Sequence, residues 1–263
     1  MKAMILAAGL GTRLRPLTQD RPKALVEING RTLLEITLSR LRSFGIRDVI
    51  INVHYFADMI VDYLRANQNF GMTLEISREE SLLDTGGGLK KAGSFFAENS
   101  LPDCTSSLEP FVVHNVDVLS TIDLQSMLQF HKQHQALATL AVQDRQTSRY
   151  LLFDGRSFEL CGRQTGTAPP EIVRSAASSI GAPPHPLAFC GVQVISPSMF
   201  GKMTEEGVFP IVSSYLRLAA EGERIIAFRA DEYYWRDIGS PESVAQATRD
   251  MQNNLTHPQA SAD

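Results

Sequence analysis

The stretch LAAGLGTRLRPLTQDRPKALVEING, residues 6–30, follows a single short apolar run and has little hydrophobic periodicity of its own. It holds three glycines, three arginines, one lysine and two prolines. The apolar run that leads into this stretch and overlaps its first two residues is residues 2–7. It is short and is followed closely by Gly9, which predicts a buried strand. Ligands in open α/β sheets lie beyond the carboxyl ends of the strands, so a glycine-rich, cationic segment at this place predicts a ligand-binding loop.

Outside this loop, short apolar segments alternate with segments that have apolar residues at helical spacing. Up to about residue 135 this alternation predicts a parallel, doubly wound sheet with right-handed crossovers. The predicted strands of this half are residues 2–7, 49–53, 73–76 and 110–114, and its predicted helices are residues 32–44, 56–64, 88–96 and 124–134.

The sequence after residue 135 is less regular. Its predicted strands are residues 137–142, 150–153, 188–195, 224–229 and 234–238, and its predicted helices are residues 209–220 and 241–251. Residues 163–186 are rich in Gly, Ala, Ser and Pro and predict a long loop. We therefore expect one α/β domain with a Rossmann-like, doubly wound mixed sheet over residues 1–252, divided into halves 1–135 and 136–252. A polar, disordered tail is expected at residues 253–263.

Composition narrows the class of protein. The chain has 263 residues, 43% of them hydrophobic and 21% charged, which is typical of a globular protein. A net charge of −4 argues against a general nucleic-acid-binding surface. The three cysteines, Cys104, Cys161 and Cys190, form no CxxC and indicate a reducing compartment rather than a disulfide framework. No stretch approaches the ~20 apolar residues of a membrane span.

Three interpretations of the opening loop compete. A dinucleotide fingerprint, G-x-G-x-x-G, fits Gly9 and Gly11, but Leu14 takes the third glycine's place, and Pro16 and Pro22 interrupt any following helix. A P-loop would end in G-K-[ST], which is absent here. A solvent-exposed basic loop is the third interpretation. Glycine-rich backbone with several cations suits a polyphosphate, and the cations are Arg13, Arg15, Arg21 and Lys23.

The complete sequence of the opening loop favours a polyphosphate-binding loop over the three interpretations above. LAAGLGTR, RPLT and RPK, within residues 6–23, closely resemble the signature of the sugar-1-phosphate nucleotidylyltransferases. The resemblance implies the nucleotide-diphospho-sugar transferase fold and the reaction NTP + sugar 1-phosphate → NDP-sugar + pyrophosphate. It implies that Arg13 stabilises the departing pyrophosphate and that Lys23 stabilises the phosphates at the reacting centre. The nucleotide contacts that it implies are Leu6, Ala8, Gly9, Gly11, Thr12, Arg13, Gly86 and Gly87.

Joining two anions calls for a divalent cation, and Mg²⁺ commonly uses one or two carboxylates plus substrate oxygens. Asp117 follows the predicted strand 110–114, where a metal ligand and a turn aspartate are both compatible with the position. The resemblance favours the ligand, because the family has Asn-x-Asp here and this chain has Asn115-Val116-Asp117. It places Asp117 with Arg13 and Lys23 in the catalytic set.

The second expected metal ligand is Asp237. WRDIG, residues 235–239, resembles the family's Trp-x-Asp-Val/Ile-Gly. An alternative is that Asp237 caps the helix that follows. Ser240, directly before Pro241, suits the cap position better, which leaves Asp237 available for the metal.

The sugar side of the site carries weaker signals. The resemblance implies sugar-phosphate contacts by Lys23, by Asn115 and by Gly191 of a Phe-x-Gly element, although an apolar strand also explains the last. Residues 163–186, with Arg163 and Arg174, predict either a flap over the sugar phosphate or an insertion without a role. His114 is expected to be packed rather than to act as a base, since the attacking phosphate is already anionic.

The glycine-rich segment DTGGG, residues 84–88, bears on which subgroup of the sugar-1-phosphate nucleotidylyltransferases the chain resembles. It is compatible with a plain helix start, and its Thr-Gly-Gly-Gly resembles the short N-acetylmuramate-1-phosphate uridylyltransferase-like group. This resemblance implies an enzyme of cell-wall sugar-nucleotide synthesis that uses UTP and N-acetylmuramate 1-phosphate, and we expect it to be cytoplasmic and Mg²⁺-dependent. The alternatives are a mannose-1-phosphate guanylyltransferase, a cytidylyltransferase, or a non-catalytic sugar-nucleotide sensor. Expected partners are only these small molecules, with no nucleic acid or membrane, and a monomer or small homo-oligomer is expected.

Overall fold

Apolar runs of the sequence form the strands, and the computed structural model describes residues 1–97, 109–175 and 183–253. Within these residues the strands are β1 (Lys2–Leu6), β2 (Glu27–Ile28), β3 (Arg31–Thr32), β4 (Asp48–Val53), β5 (Thr73–Arg78), β6 (Phe111–Asn115), β7 (Val118–Ser120), β8 (Ala138–Gln143), β9 (Arg149–Phe153), β10 (Leu160–Thr165), β11 (Glu171–Ile172), β12 (His185–Ile195), β13 (Ile225–Arg229) and β14 (Trp235–Asp237). The α-helices are α1 (Leu33–Ser43), α2 (Ala57–Ala66), α3 (Asp84–Lys91), α4 (Gly93–Ala97), α5 (Leu124–Gln133), α6 (Ile211–Ala220) and α7 (Pro241–Gln252).

The chain divides into two compact units, each built from separate segments. The unit that contains the glycine-rich loop, here the loop unit, comprises Ala3–Leu82, His114–Asp123 and the chain from Glu232 onward. The other, here the strand unit, comprises Met1–Lys2, Leu83–Val113 and Leu124–Asp231. The predicted division into halves at residue 135 stays a prediction.

In the loop unit, β1, β4 and β5 are neighbours in this order, and β4 pairs with β5 in parallel. This pairing confirms the parallel arrangement predicted for β4 and β5. The helix α1 begins at Thr32, whose side-chain oxygen accepts a hydrogen bond from the Glu35 amide at 3.1 Å. The same unit contains the antiparallel pair β7–β14, in which Asp237 lies opposite Val118.

The helix α7 confirms the predicted cap. The Ser240 hydroxyl accepts a hydrogen bond from the Ser243 amide, the Ser243 hydroxyl accepts one from the Ser240 amide, and Pro241 is the first helical residue. Asp237 lies outside this cap, as expected.

In the strand unit, β11, β10, β9 and β12 follow one another, and β8 pairs with β12 on one side and β13 on the other. The β8–β13 pair is parallel, whereas β9–β10, β9–β12 and β8–β12 are antiparallel. Stacked rings of Phe96, Phe111 and Phe200 contribute to its apolar core. The sheet is therefore mixed, as predicted.

The loop predicted at residues 163–186 is too long: its described ends and residues 171–172 belong to strands, whereas residues 166–170, 173–175 and 183–184 lie in no helix or strand. Residues up to Thr165 belong to β10, which pairs with β11, and β12 begins at His185. Pro186 is accommodated because it pairs with Leu152 of β9 before the pairing of β12 with β8 begins at Ala188. Residues 176–182 of the segment, like the tail from residue 254, lie outside the described residues.

Two further boundaries differ from the prediction. The helix expected at residues 88–96 begins at Asp84 and ends at Lys91, and a separate short helix follows at Gly93. Cys161 and Cys190 are buried and take part in no disulfide, while Cys104 lies outside the described residues. Across the described ranges, no helix is both long and apolar enough to cross a membrane.

A buried histidine in the strand unit predicts loss of stability in acid. His131 bonds Thr139 through Nδ1 and Ser196 through Nε2, both at 2.9 Å, and burial lowers its pKa to about 4 from 6.5. The unfolded chain therefore binds a proton first as the pH falls towards the ordinary pKa of histidine. We expect the free energy of unfolding to drop by about 1 kcal/mol by about pH 5.5 from this group alone.

Urea unfolding of the wild type and of His131→Gln from mildly acidic to mildly alkaline pH measures this effect. The variant is expected to be less stable above neutral pH and to show a flatter pH dependence. His134→Gln, in the residues just after the same helix and half-buried, is the control. Equal pH dependence in the wild type and in His131→Gln would contradict the assignment.

Candidate functional site

The glycine-rich loop leaves the carboxyl end of β1 and turns tightly at Gly11. Gly11 has a φ of 65°, in the left-handed region that favours glycine. A Cβ there would lie 3.1 Å from the Thr18 side chain and 3.2 Å from that of Lys23. Thr18 donates its hydroxyl to the Gly11 carbonyl at 2.8 Å. Gly11 is therefore required by the fold of the loop itself.

Gly9 is a different case. A Cβ built on Gly9 would have no described atom of the chain within 4 Å, and its φ is not left-handed. Packing within the described residues therefore gives no reason for glycine at this position. Bare backbone that faces open space suits the close approach of a ligand.

Lys23 and Asp117 meet in the loop unit. Lys23 is buried in a short 3₁₀ turn, Lys23–Leu25, and its Nζ forms a hydrogen-bonded ion pair with Oδ2 of Asp117. Asp117 is held near the end of β1, because the neighbouring Val116 amide donates to the Leu6 carbonyl at 3.1 Å. Two of the three predicted catalytic residues are thus in direct contact.

The backbone brings the two predicted metal ligands to neighbouring positions. Asp237 of β14 is opposite Val118 of β7, and the Ile238 amide donates to the Asp117 carbonyl at 2.7 Å. Nη2 of Arg13 lies 3.9 Å from Oδ2 of Asp237. The predicted residues Arg13, Lys23, Asp117 and Asp237 therefore gather in one unit, with alternating charge.

Gly239 permits the approach of Arg13 to Asp237. A Cβ at Gly239 would lie 2.9 Å from Oδ2 of Asp237 and 3.1 Å from Nη2 of Arg13. The glycine of the WRDIG string is thus explained by the two charged side chains that meet beside it.

The two carboxylates fit a hard divalent cation. Their side chains are partly exposed, 22% for Asp117 and 39% for Asp237, so oxygen ligands from a substrate and from water have access. Among residues 1–97, 109–175 and 183–253 no cluster of three or more His, Cys, Asp or Glu is positioned to hold a metal. Mg²⁺ needs no such cage, because it commonly takes one or two carboxylates and completes its shell with phosphate and water.

Gly86 and Gly87 lie in the strand unit, in the first turn of α3. Both amides point to the Phe209 carbonyl, at 2.9 and 3.3 Å. A Cβ on Gly86 would lie 2.3 Å from the Phe209 ring, and one on Gly87 would lie 2.4 Å from the Gly207 carbonyl. Internal packing thus accounts for both glycines, and their contact with the nucleotide stays a prediction.

The remaining predicted sugar-side residues have structural partners of their own. Gly191 lies at a register shift of β12 with a φ of 72°, as a bulge requires. Arg163 pairs with Glu171 at 2.6 Å, and Arg174 pairs with Glu159 at 2.8 Å. These two arginines are therefore engaged by carboxylates within the strand unit.

His114 and Asn115 end β6 in the loop unit. Asn115 is half-buried. His114 is fully buried, its Nδ1 is 2.8 Å from the Asn115 carbonyl, and burial lowers its pKa to about 4. A neutral, buried imidazole agrees with the packed role expected for His114.

Sequence analysis missed two buried polar residues beneath the loop, Asn52 and Glu79. The Asn52 side chain accepts a hydrogen bond from the Ala7 amide and donates one to the Glu79 carboxylate. The signal in the sequence was a lone asparagine within the apolar run of β4. A strand buried on both faces has no solvated position for such a residue.

Known proteins are similar to this chain over most of its length. The nucleotidyl transferase family model matches residues 2–151. The N-acetylmuramate alpha-1-phosphate uridylyltransferase of Caulobacter vibrioides is 33% identical over 253 residues, which cover 93% of this chain and 94% of that protein. The catalytic subunit beta of mannose-1-phosphate guanylyltransferase from Danio rerio is 31% identical over 252 residues, or 92% of this chain and 62% of that protein.

Among solved structures, a UDP-glucose pyrophosphorylase complexed with UDP-glucose superposes with a TM-score of 0.74 and 19% identity. The match covers 96% of this chain and 98% of that one, and it confirms the predicted fold class. The resemblance to the sugar-1-phosphate nucleotidylyltransferases is likewise confirmed, and the protein is an enzyme of the nucleotidyltransferase class. This chain belongs to the nucleotidyl transferase family.

Proposed function

We propose that this enzyme transfers a nucleotidyl group from UTP to N-acetylmuramate 1-phosphate and releases pyrophosphate. The observation that carries the proposal is the grouping of Arg13, Lys23, Asp117 and Asp237 around the glycine-rich loop in one unit. The choice of substrates is supported by the Caulobacter relative, which matches over nearly the full length of both chains. The guanylyltransferase of Danio rerio is longer, and this chain spans 62% of its length.

In the proposed reaction, the main task of the protein is to bring two negatively charged phosphate groups together. The acceptor phosphate is already a nucleophilic anion, so the protein needs to position two anions in line rather than to remove a proton. The backbone from Ala8 to Thr12 binds the triphosphate, with Gly9 where the approach is closest. Lys23 neutralises the phosphates at the reacting centre, and Arg13 neutralises the pyrophosphate as its charge grows.

Asp117 and Asp237 hold Mg²⁺ in this proposal. Mg²⁺ bound there supplies positive charge to the phosphate oxygens that meet during transfer. In the structure each carboxylate faces a cation, Asp117 facing Lys23 and Asp237 facing Arg13. The carboxylates therefore hold the cationic side chains in place as well as the metal, before and during substrate binding.

Pyrophosphate release tests the substrates. We expect UTP with N-acetylmuramate 1-phosphate to give a kcat/KM at least about 10-fold above that of any other pair, equivalent to about 1.4 kcal/mol. The panel contains all four common NTPs, each with N-acetylmuramate, mannose and glucose 1-phosphates, in the presence of Mg²⁺. A higher kcat/KM for GTP with mannose 1-phosphate would support the runner-up instead, and a preference for CTP would support the cytidylyltransferase.

The alternative of a non-catalytic sugar-nucleotide sensor is not retained, because the chain is an enzyme of the nucleotidyltransferase class.

Gly9 offers a test of the triphosphate contact. Gly9→Ala is expected to raise the KM for the NTP about 10-fold with no change in Tm, since the new methyl group would meet the ligand but no described atom of the protein. Gly87→Ala is the contrast, because its methyl group would collide with the Gly207 carbonyl and lower Tm. An unchanged KM in Gly9→Ala would remove Gly9 from the nucleotide site.

We further propose that the enzyme works in the cytoplasm, in cell-wall sugar-nucleotide synthesis, as a monomer or small homo-oligomer. The buried cysteines Cys161 and Cys190, which are in no disulfide, support a reducing compartment. Nucleoside triphosphate and sugar phosphate are its proposed partners.

A further inference from the structure

A series of buried hydrogen bonds crosses the carboxyl ends of three adjacent strands in the loop unit. Asn52, in β4, is 2% exposed, and its Oδ1 accepts a hydrogen bond from the Ala7 amide at 2.8 Å. Its Nδ2 donates to Oε1 of Glu79 at 2.7 Å. Glu79 follows β5 and is 5% exposed. Ala7 is the first residue after β1, so the series ends where the glycine-rich loop begins.

The far end of this series is fixed by backbone. The Glu79 amide donates to the Val53 carbonyl at 2.8 Å, and the Glu79 carbonyl bonds Nδ1 of His54 at 2.8 Å. The Glu79 carboxylate therefore extends from backbone that two bonds to β4 and its following residue hold in place. Through Asn52, this fixed point is connected by hydrogen bonds to the Ala7 amide.

Asparagine suits the middle position because it presents an acceptor on one side and a donor on the other. An aspartate would still accept from Ala7, but it would set a second carboxylate against Glu79. An aliphatic side chain would leave both the Ala7 amide and the Glu79 carboxylate without this partner in a buried place.

We propose that Asn52 and Glu79 are positioning residues that set the phosphate-binding backbone of the glycine-rich loop. The proposal rests on the function proposed above, in which this backbone binds the NTP. Ala7 is two residues from Gly9, so a shift of its amide moves the backbone that meets the triphosphate. Misplacement of a reacting group by about 1 Å can cost about 100-fold in rate, even when the substituted residue lies away from the chemistry.

A charge-exchange pair of variants tests the series. Asn52→Asp is expected to reduce kcat/KM for the NTP at least about 10-fold, because the introduced carboxylate and that of Glu79 repel each other. The double variant Asn52→Asp, Glu79→Gln is expected to recover to within about threefold of wild type. In the double variant, the carboxylate introduced in β4 accepts from the Ala7 amide and also from the side-chain amide introduced after β5. Every bond of the series is then present, with the direction of one bond reversed.

Two further measurements separate positioning from general stability. Tyr215→Phe, in the strand unit, removes another buried hydrogen bond, from the Tyr215 hydroxyl to Gln193 at 2.8 Å. This control is expected to lower Tm without changing kcat or KM. Amide hydrogen exchange of a peptide covering residues 7–14 is expected to accelerate in Asn52→Asp and to return to the wild-type rate in the double variant.

These outcomes decide the proposal. Should Asn52→Asp lower Tm as Tyr215→Phe does, with kinetics unchanged, Asn52 is structural only and the proposal fails. A double variant that recovers neither exchange nor kcat/KM also overturns it. If Asn52→Asp does not fold, a folded, active double variant supports the series, and an unfolded one overturns it. If the wild type releases no pyrophosphate with any substrate pair, the proposed function fails, whereas the exchange measurement still tests the hydrogen-bonded series.

Discussion

Asp117→Asn is expected to reduce Mg²⁺-dependent turnover at least about 100-fold, equivalent to about 2.7 kcal/mol of transition-state stabilisation. Two interactions are lost at once. The amide supplies no anionic oxygen to a divalent cation, and it no longer forms an ion pair with the buried Lys23. Since the side chain keeps its size and the backbone bonds of Asp117 persist, the fold is expected to remain intact.

Pyrophosphate release measured against Mg²⁺ concentration tests this expectation, with the far-ultraviolet circular dichroism as a check of the fold. Asp62→Asn is a matched control: it removes one charge in the same unit, at a side chain that is 76% exposed, and is expected to behave as wild type. Asp237→Asn is expected to resemble Asp117→Asn. Near-normal turnover in either Asp117→Asn or Asp237→Asn would refute the metal assignment.

Arg13→Ala is the second variant with a large expected effect, a fall in kcat of about 100-fold with a smaller change in the KM for the NTP. The Arg13 side chain is 74% exposed and lies 3.9 Å from Asp237. Such an exposed pair contributes about 0–1 kcal/mol to stability, so the variant should fold normally. In the free enzyme the guanidinium is therefore available to a ligand, and its charge matters most as pyrophosphate leaves.

Steady-state kinetics with saturating sugar phosphate separate the two parameters. Arg65→Ala is the control from the same unit, since Arg65 is 77% exposed and lies 3.9 Å from Asp62. A rise in KM with unchanged kcat would mean that Arg13 binds the NTP equally in the ground state and the transition state.

The sequence predicted those parts of the molecule that depend on local chemistry. The apolar run of β4 and the Ser240–Pro241 start of α7 depend on burial and capping, and both were predicted within a residue or two. The hairpin of β10 and β11 was missed, because it depends on pairing with β9 and not on a periodic pattern. A segment rich in glycine and proline becomes a strand when an antiparallel neighbour supplies its hydrogen bonds.

The residues of the candidate site were predicted one by one, but their contacts were not. Lys23 and Asp117 are 94 positions apart, and no local rule pairs them. Asn52 had a signal, a polar residue within an apolar strand, but its partners come from the ends of two other strands. Gly87 had a signal too, and the structure explains it by the Gly207 carbonyl, which sequence spacing does not reveal.

The composition of the loop unit from three separated stretches has a consequence for folding during synthesis. Its segments are Ala3–Leu82, His114–Asp123 and the chain from Glu232 onward, and β7 cannot pair until β14 has left the ribosome. The entropy of closing so long an intervening chain must be met before the pair forms, which slows assembly. A nascent chain released before Trp235 would lack both α7 and the carboxylate of Asp237. The ability to hold the metal as proposed would thus be acquired only after β14 has been synthesised.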